Sequence, residues 1–223
     1  MENINIIVPL SVGVGIITCG NRKLNKPFIM SEPGILIYND TERKGAASAR
    51  NNLLKQMEGM DYIFIFDDDC WPVLPGWKYR IINWMIKNEV GYLAGLDYKG
   101  VDILRGYHDT IISASPYIGA FAVFSKKCIE KIGYYNTAYD RYGFEDVAYS
   151  RRAKEAGLCG SDKEGWASPV WINMYFHSAD MFAENPPSVL TPEQKKNYIE
   201  KNGVVYQKEM TDLFNGKIYY GYK

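Results

Sequence analysis

The run Asp61–Phe66 (DYIFIF) is apolar from Tyr62 onward and leads straight into Asp67-Asp68-Asp69. An apolar run of that length, cut off by charge, reads as a strand buried on both faces. Such a strand needs a sheet covered by helices, so its surroundings should alternate strand and helix. They do. Val12–Cys19, Ile35–Tyr38, Gly91–Leu96 and Tyr117–Phe124 read as strands. Ala46–Met57, Trp77–Lys87, Lys126–Ile132 and Asp146–Ala156 read as helices, the last stopped by Gly157. The expected fold class is α/β, a single Rossmann-like mixed sheet flanked by helices. Residues after Pro186-Pro187 carry a polar, Lys-rich helix (Pro192–Asn202) and a Tyr-rich tail, read as an appendage (188–223) on a main domain of residues 1–187.

Composition bounds the function classes. With 26 basic and 26 acidic side chains in 223 residues, the formal charge is zero, which excludes a global basic field for holding a polyanion. The 18 tyrosines suit stacking on sugars or nucleobases, and equally plain packing. Four scattered cysteines without a C-x-x-C pair read as reduced thiols. The apolar stretch Ile4–Cys19 is interrupted by Asn5, Pro9, Ser11, Gly13 and Gly15, and no Lys or Arg precedes Asn21. No membrane span and no signal peptide are expected, so a cytoplasmic protein is.

Three segments carry candidate chemistry. Along an extended strand, Asp67 and Asp69 would point to one side and Asp68 to the other. Adjacent carboxylates repel, and at a sheet's carboxyl edge a hard divalent cation is the natural partner; the bland reading is a solvated acidic turn. Tyr142-Gly143-Phe144-Glu145-Asp146 opens a helix. Its acidic residues either serve the helix dipole or supply a base that accepts a hydroxyl proton. His177, after the apolar strand-like run Val170–Phe176, is one of two histidines, and imidazole suits Mn2+. His108 has no comparable company.

These segments resemble a known family. GIITCGNRK, GAASARN and IFIFDDDCWPVLPGW, in that order, are similar to a family 2 type glycosyltransferase of the GT-A fold. The second half, from Tyr117 to Gly157 and then NMYFHSADMFAENPP, resembles the β-1,4-galactosyltransferase-like group, with its E-D block and later M-x-x-H-S. The resemblance implies a nucleotide-sugar half (about residues 1–100) and an acceptor half (about 101–187). It implies Asp67 and Asp69 as the ends of a D-x-D motif, and a metal held by Asp69, Asp67 and His177, with Met174 as a weaker thioether ligand. Asp146 is implied as general base and Glu145 as its acceptor-gripping neighbour. Tyr142 and Gly143 fall at the acceptor, while Thr18, Arg22, Asp40, Arg50, Asp67 and Asp68 fall at the nucleotide and diphosphate. The implied activity is inverting transfer from a UDP-sugar with Mn2+ or Mg2+, in a bacterial or viral enzyme.

The chain departs from the pattern twice. Val147-Ala148 replace further aspartates, and Asn39-Asp40 replace a D-D-G-S turn. Two other readings compete. A nucleotidyltransferase would carry a Gly-rich first loop, and Cys19–Lys26 has one glycine. A silent nucleotide-sugar-binding module would not need a base. The acceptor is open among saccharides and other hydroxyls, with a hydroxymethylated phage DNA base as a minority reading resting on Lys126-Lys127, Arg151-Arg152 and Lys195-Lys196.

Overall fold

A computed structural model describes residues 9–95, 103–160, 165–178 and 190–216. The first half runs β1 (Val12–Thr18), α1 (Lys26–Ser31), β2 (Leu36–Asn39), α2 (Ala46–Gln56), β3 (Tyr62–Asp67), β4 (Cys70–Pro72), α3 (Trp77–Lys87) and β5 (Tyr92–Gly95). It continues with β6 (Ile103–Tyr107), β7 (Thr110–Ser113), β8 (Ile118–Ser125), α4 (Lys126–Ile132) and α5 (Glu145–Glu155). The chain then forms β9 (Trp166–Pro169), a 3-10 turn (Ile172–Tyr175), β10 (Phe176–Ser178) and α6 (Pro192–Phe214).

The main sheet has the order β2-β1-β3-β8-β5. β1 is parallel to β2 and β3, whereas β8 is antiparallel to β3 and β5. β3 is therefore central, and Ile63, Phe64, Ile65 and Phe66 are all buried, as the apolar run predicts. On one face Phe64 and Phe66 meet Trp77 of α3 edge-on, at 4.9 and 5.5 Å between ring centres. On the other, α2 lies directly on β1. A Cβ on Gly13 would come within 2.5 Å of Met57 Sδ, and one on Gly15 within 2.8 Å of Leu53 Cδ1. Glycine here lets helix and sheet approach closely.

Several elements differ from the sequence expectation. α1, which starts at the last residue of the first loop (Cys19–Lys26), was not foreseen; the Asn25 side chain caps it by accepting the Phe28 amide N–H at 2.9 Å, with Pro27 in its first turn. The Val170–Phe176 strand is instead a 3-10 turn followed by β10, which pairs antiparallel with β4. A separate sheet of order β6-β7-β9 was not foreseen. The helix expected over Pro192–Asn202 continues to Phe214 and buries Asn202, Glu209, Met210 and Leu213. Met210 and Leu213 pack with Tyr139 and Ala148, so the far end of α6 joins a small second core with α5. The expected boundary near residue 187, and residue Leu96 of the fourth expected strand, lie outside the described residues. All four cysteines are free thiols. No described helix is long and apolar enough to cross a membrane.

Candidate functional site

The parallel strands bring their carboxyl ends to one edge, with Thr18 opposite Asn39 and Ile17 opposite Asp67. A cleft of about 250 Å³ opens there, lined among others by Thr18, Arg22, Asp40, Asp67, Asp68 and Tyr142. Asp40 is fixed at the mouth of α2. Its amide N–H donates to Thr18 O at 2.7 Å, and its carboxylate accepts the amide N–H groups of Lys44 and Gly45 at 2.9 and 2.8 Å. The Gly45 amide is one of the donors that the start of α2 leaves unsatisfied. Thr18 Oγ1 donates to Asp68 at 2.7 Å, and Arg22 donates to Asp68 at 2.8 Å and to Asp69 at 2.6 Å.

The strand-parity expectation for the triplet does not hold. β3 ends at Asp67, and Asp68 and Asp69 lie in a turn. Asp68 and Asp69 consequently share Arg22, and Asp67 faces Arg50 instead. Asp68 does not turn away from the cleft but forms part of its wall.

Arg50 joins this wall to the start of α5. Its Nη2 donates to Asp67 at 2.9 Å and to Gly119 O at 2.6 Å, and its Nη1 donates to Glu145 at 3.3 Å. Gly119 also donates its amide N–H to Asp146 at 2.7 Å. A Cβ on Gly119 would lie 2.7 Å from Arg50 Nη2 and 3.0 Å from Asp146 Oδ2, so only glycine fits between them. Burial of Arg50 opposes its charge, yet Asp67 and then the other acidic neighbours hold it firmly protonated.

The carboxyls around Arg50 are crowded. Burial pushes the Asp67 carboxyl up to about 7, with Arg50 pulling down and Asp69 pushing up, although 33% of its side chain remains exposed. Burial first, then repulsion from Asp146, pushes Glu145 up to about 7 against the pull of Arg50. Glu145 Oε2 is buried without a hydrogen-bond partner, whereas both Asp146 oxygens accept amide N–H groups, from Gly119 and Val147.

The expected metal ligands are only partly assembled. Among the described residues, no group of three or more His, Cys, Asp and Glu side chains is gathered as a metal cluster. His177 lies on β10 opposite Trp71 of β4, the strand that follows Asp69, and stacks on the Trp71 ring at 4.0 Å. The Met174 side chain lies outside the described set. Tyr142 borders the cleft, 40% exposed, with the Lys195 ammonium 5.2 Å from its ring centre. Gly143 follows it in the left-handed region (φ 93°).

Sequence reasoning missed Gly119, Arg43 and Arg141, and named Lys195 only as part of a basic pair; the three basic residues line the cleft. Gly119 had a signal, being a glycine inside a run of large apolar residues, which marks a close backbone approach. The basic residues had none beyond charge.

The family model described as glycosyl transferase family 2 matches residues 21–148, more than half of the chain. The chain belongs to glycosyl transferase family 2. The match takes in Arg22, Asp40, Arg50, Asp67, Asp68 and the start of α5. Among solved structures, this family 2 chain is similar to S. aureus TarS in complex with UDP, with 12% identity over 86% of this chain and 55% of that one (TM-score 0.48). It is similar to the mannosyltransferase PcManGT from Pyrobaculum calidifontis in complex with GDP-Man and Mn2+, at 16% identity over 69% of this chain and 54% of that one (TM-score 0.46). It is also similar to the catalytic domain of Drosophila β1,4-galactosyltransferase 7 with xylobiose, at 14% identity over 84% and 78% of the two chains (TM-score 0.43). The chain thus spans about half the length of the first two. No curated protein matches it.

Proposed function

We propose that this family 2 glycosyltransferase moves a hexose from a UDP-sugar to an acceptor hydroxyl, inverting the anomeric carbon, with Mn2+ or Mg2+ at the carboxylates. The observation that carries the proposal is the bridge made by Arg50, one nitrogen on Asp67 of the cleft and the other on Glu145 at the start of α5. A donor-side carboxylate and an acceptor-side acidic pair are thereby held at one sheet edge, where α/β sheets bind ligands.

The nucleotide-sugar half is assigned to about residues 1–100 and the acceptor half to about 101–187. Thr18 and Asp40 border the nucleoside, and Arg22 sits where its guanidinium can turn from Asp68 and Asp69 to a diphosphate. Asp67, Asp69 and His177 offer carboxylate and imidazole donors of the right type for Mn2+, and three adjacent carboxylates call for more positive charge than Arg22 and Arg50 provide. Met174 would be the softer and poorer donor. The ion, when bound, supplies Lewis-acid stabilisation of the leaving diphosphate.

Tyr142 and Gly143 receive the acceptor. Two amide N–H groups hold the Asp146 carboxyl group in its orientation, and its remaining lone pairs accept the acceptor's proton. As that proton leaves, the acceptor oxygen bonds the anomeric carbon, and the bond from that carbon to the phosphate oxygen breaks, releasing UDP. Four free cysteines suit a reducing, cytoplasmic setting. No observation supports a DNA base as the acceptor.

A second assignment of the base has one observation behind it, the buried, unpartnered Oε2 of Glu145 on a carboxyl held near 7. Turnover of UDP-hexoses with Mn2+ by Asp146→Asn and Glu145→Gln separates the two. Loss of a positioned base costs about 10²–10⁴ in rate. Loss of that size in Asp146→Asn, with UDP affinity kept, supports Asp146; the same loss confined to Glu145→Gln transfers the role. Retention by both variants overturns the acid-base reading.

A further inference from the structure

We propose that Asn202 of α6, which lies beyond the residues matched by the family, is a positioning residue of the transfer site. This inference rests on the glycosyltransferase reading above. The Asn202 side chain, on a residue 1% exposed, makes four hydrogen bonds to one loop. Its Nδ2 donates to the carbonyl oxygens of Asp140, Tyr142 and Gly143 at 3.1, 2.8 and 3.1 Å, and its Oδ1 accepts the Asp140 amide N–H at 2.9 Å.

The loop so held is a surface loop at the cleft. Arg141 and Tyr142 line the cleft, and both are exposed. The loop then passes through Gly143 (φ 93°) and Phe144 (φ 75°) into Glu145 and Asp146. A left-handed phenylalanine persists only where its surroundings hold it. Here its ring stacks on Tyr206 of α6, with ring centres 5.0 Å apart. One face of α6 thus grips the approach to α5 through Lys195, Asn202, Tyr206 and Glu209, residues spaced for a single helical face. On the far side, a Cβ on Gly45 would lie 2.9 Å from Arg141 Cα, so the loop is seated against the mouth of α2 as well. Both base candidates therefore follow directly on a loop whose backbone at residues 140, 142 and 143 is tied to α6 by one buried amide.

The test is Asn202→Ala, with Asn202→Asp as a second variant that keeps the shape and the acceptor while losing the Nδ2 donors. Val204→Ala, on the exposed side of the same helix, is the control. Three quantities are read: tryptic cleavage of the Arg141–Tyr142 bond, the Kd for UDP with Mn2+, and kcat and KM for UDP-hexose turnover. A site group displaced by about 1 Å loses up to about 10²-fold in rate. We expect Arg141 cleavage to speed at least about tenfold, kcat to fall by about 10–100-fold on that scale, and the UDP Kd to stay within about twofold. Unchanged cleavage in both variants overturns the inference, as does a loosened loop with wild-type kcat and KM. If the wild type turns over no UDP-hexose, the donor assignment fails, and loop cleavage with UDP affinity still judges the positioning role: faster cleavage supports it, equal cleavage overturns it.

Discussion

The Arg152 Nε and a Glu209 carboxylate oxygen lie 3.1 Å apart with the two side chains 1% and 2% exposed, tying α5 to α6 through a sealed ion pair. Arg152 also donates to the carbonyls of Ile132 and Tyr134, and Glu209 accepts from Asn136 and Tyr139. Burying two charges is tolerable because each is paired with the other and hydrogen-bonded to further groups.

Glu209→Ala should therefore be among the most damaging single changes outside the cleft. It strands the Arg152 charge and leaves the Tyr139 hydroxyl and Asn136 amide without their acceptor, at a cost of about 3–5 kcal/mol. Urea unfolding monitored by tryptophan fluorescence measures it. Replacing Arg152 by Met in the same chain should recover part of the loss; a loss below about 1 kcal/mol for Glu209→Ala alone would show that the pair is dispensable.

Glu145 makes stability depend on pH in a definite direction. Its carboxyl is raised from 4.5 to about 7, so between those values the folded chain keeps a proton that the unfolded chain has released. Its contribution is full below the lower value and is lost as pH rises through the upper. The difference in Tm between Glu145→Gln and wild type should thus move in favour of the variant from pH 5 to pH 8. A difference constant across that range contradicts the crowded carboxyl.

Metal binding should register before catalysis does. A ligand at a hundred times its Kd stabilises the fold by about 2.7 kcal/mol, so Mn2+ should raise Tm by several degrees and EDTA should reverse it. Asp69→Ala should abolish that rise. Asp68→Ala should keep the Mn2+ response but weaken the further rise given by UDP, because Asp68 holds Thr18 and Arg22. Equal losses in the two variants would mean that the turn acts as one ligand unit.

Thiol chemistry reports the cleft independently. Cys19 is partly exposed and lines the cleft, whereas Cys70, Cys128 and Cys159 are buried. Burial pushes Cys128 up to about 12, leaving almost no thiolate at pH 8. Ellman's reagent should modify one thiol in the native chain and four in guanidinium, and UDP with Mn2+ should slow the native reaction. A rate indifferent to UDP would separate Cys19 from the donor.

What the sequence disclosed follows from locality. β3 was legible because both its faces are buried, which leaves an unbroken apolar signature ending at charge. α3 was legible because Gly76 precedes it and its apolar residues fall on one face. β6, β7 and β9 were not, because Arg105, Gly106 and Ser168 break any alternation. α6 was read as ending at Asn202 because Asn202-Gly203 are poor residues for a helix interior. At Asn202 the break in propensity was in fact the mark of use, since that side chain is spent on the 140–143 loop. The partners of Arg50 were out of reach, since Gly119 and Glu145 lie 69 and 95 residues along the chain and meet it only through the folded sheet.

The bare backbone of β1 has a consequence for how this molecule can change. Arg50 sits one helical turn before Leu53, and Leu53 rests where a side chain on Gly15 would have to go. The guanidinium is therefore mounted on a helix whose height above the sheet is set by two absent methyl groups. A Gly15→Ala substitution, outside the cleft lining, forces the Leu53 side chain to give way, and any part of that shift passed to the α2 backbone bears on Arg50 and its bonds to Asp67, Gly119 and Glu145 together. For this chain the calibration of the chemistry is therefore kept in the interior, in the spacing of α2 from β1 rather than at the mouth of the cleft.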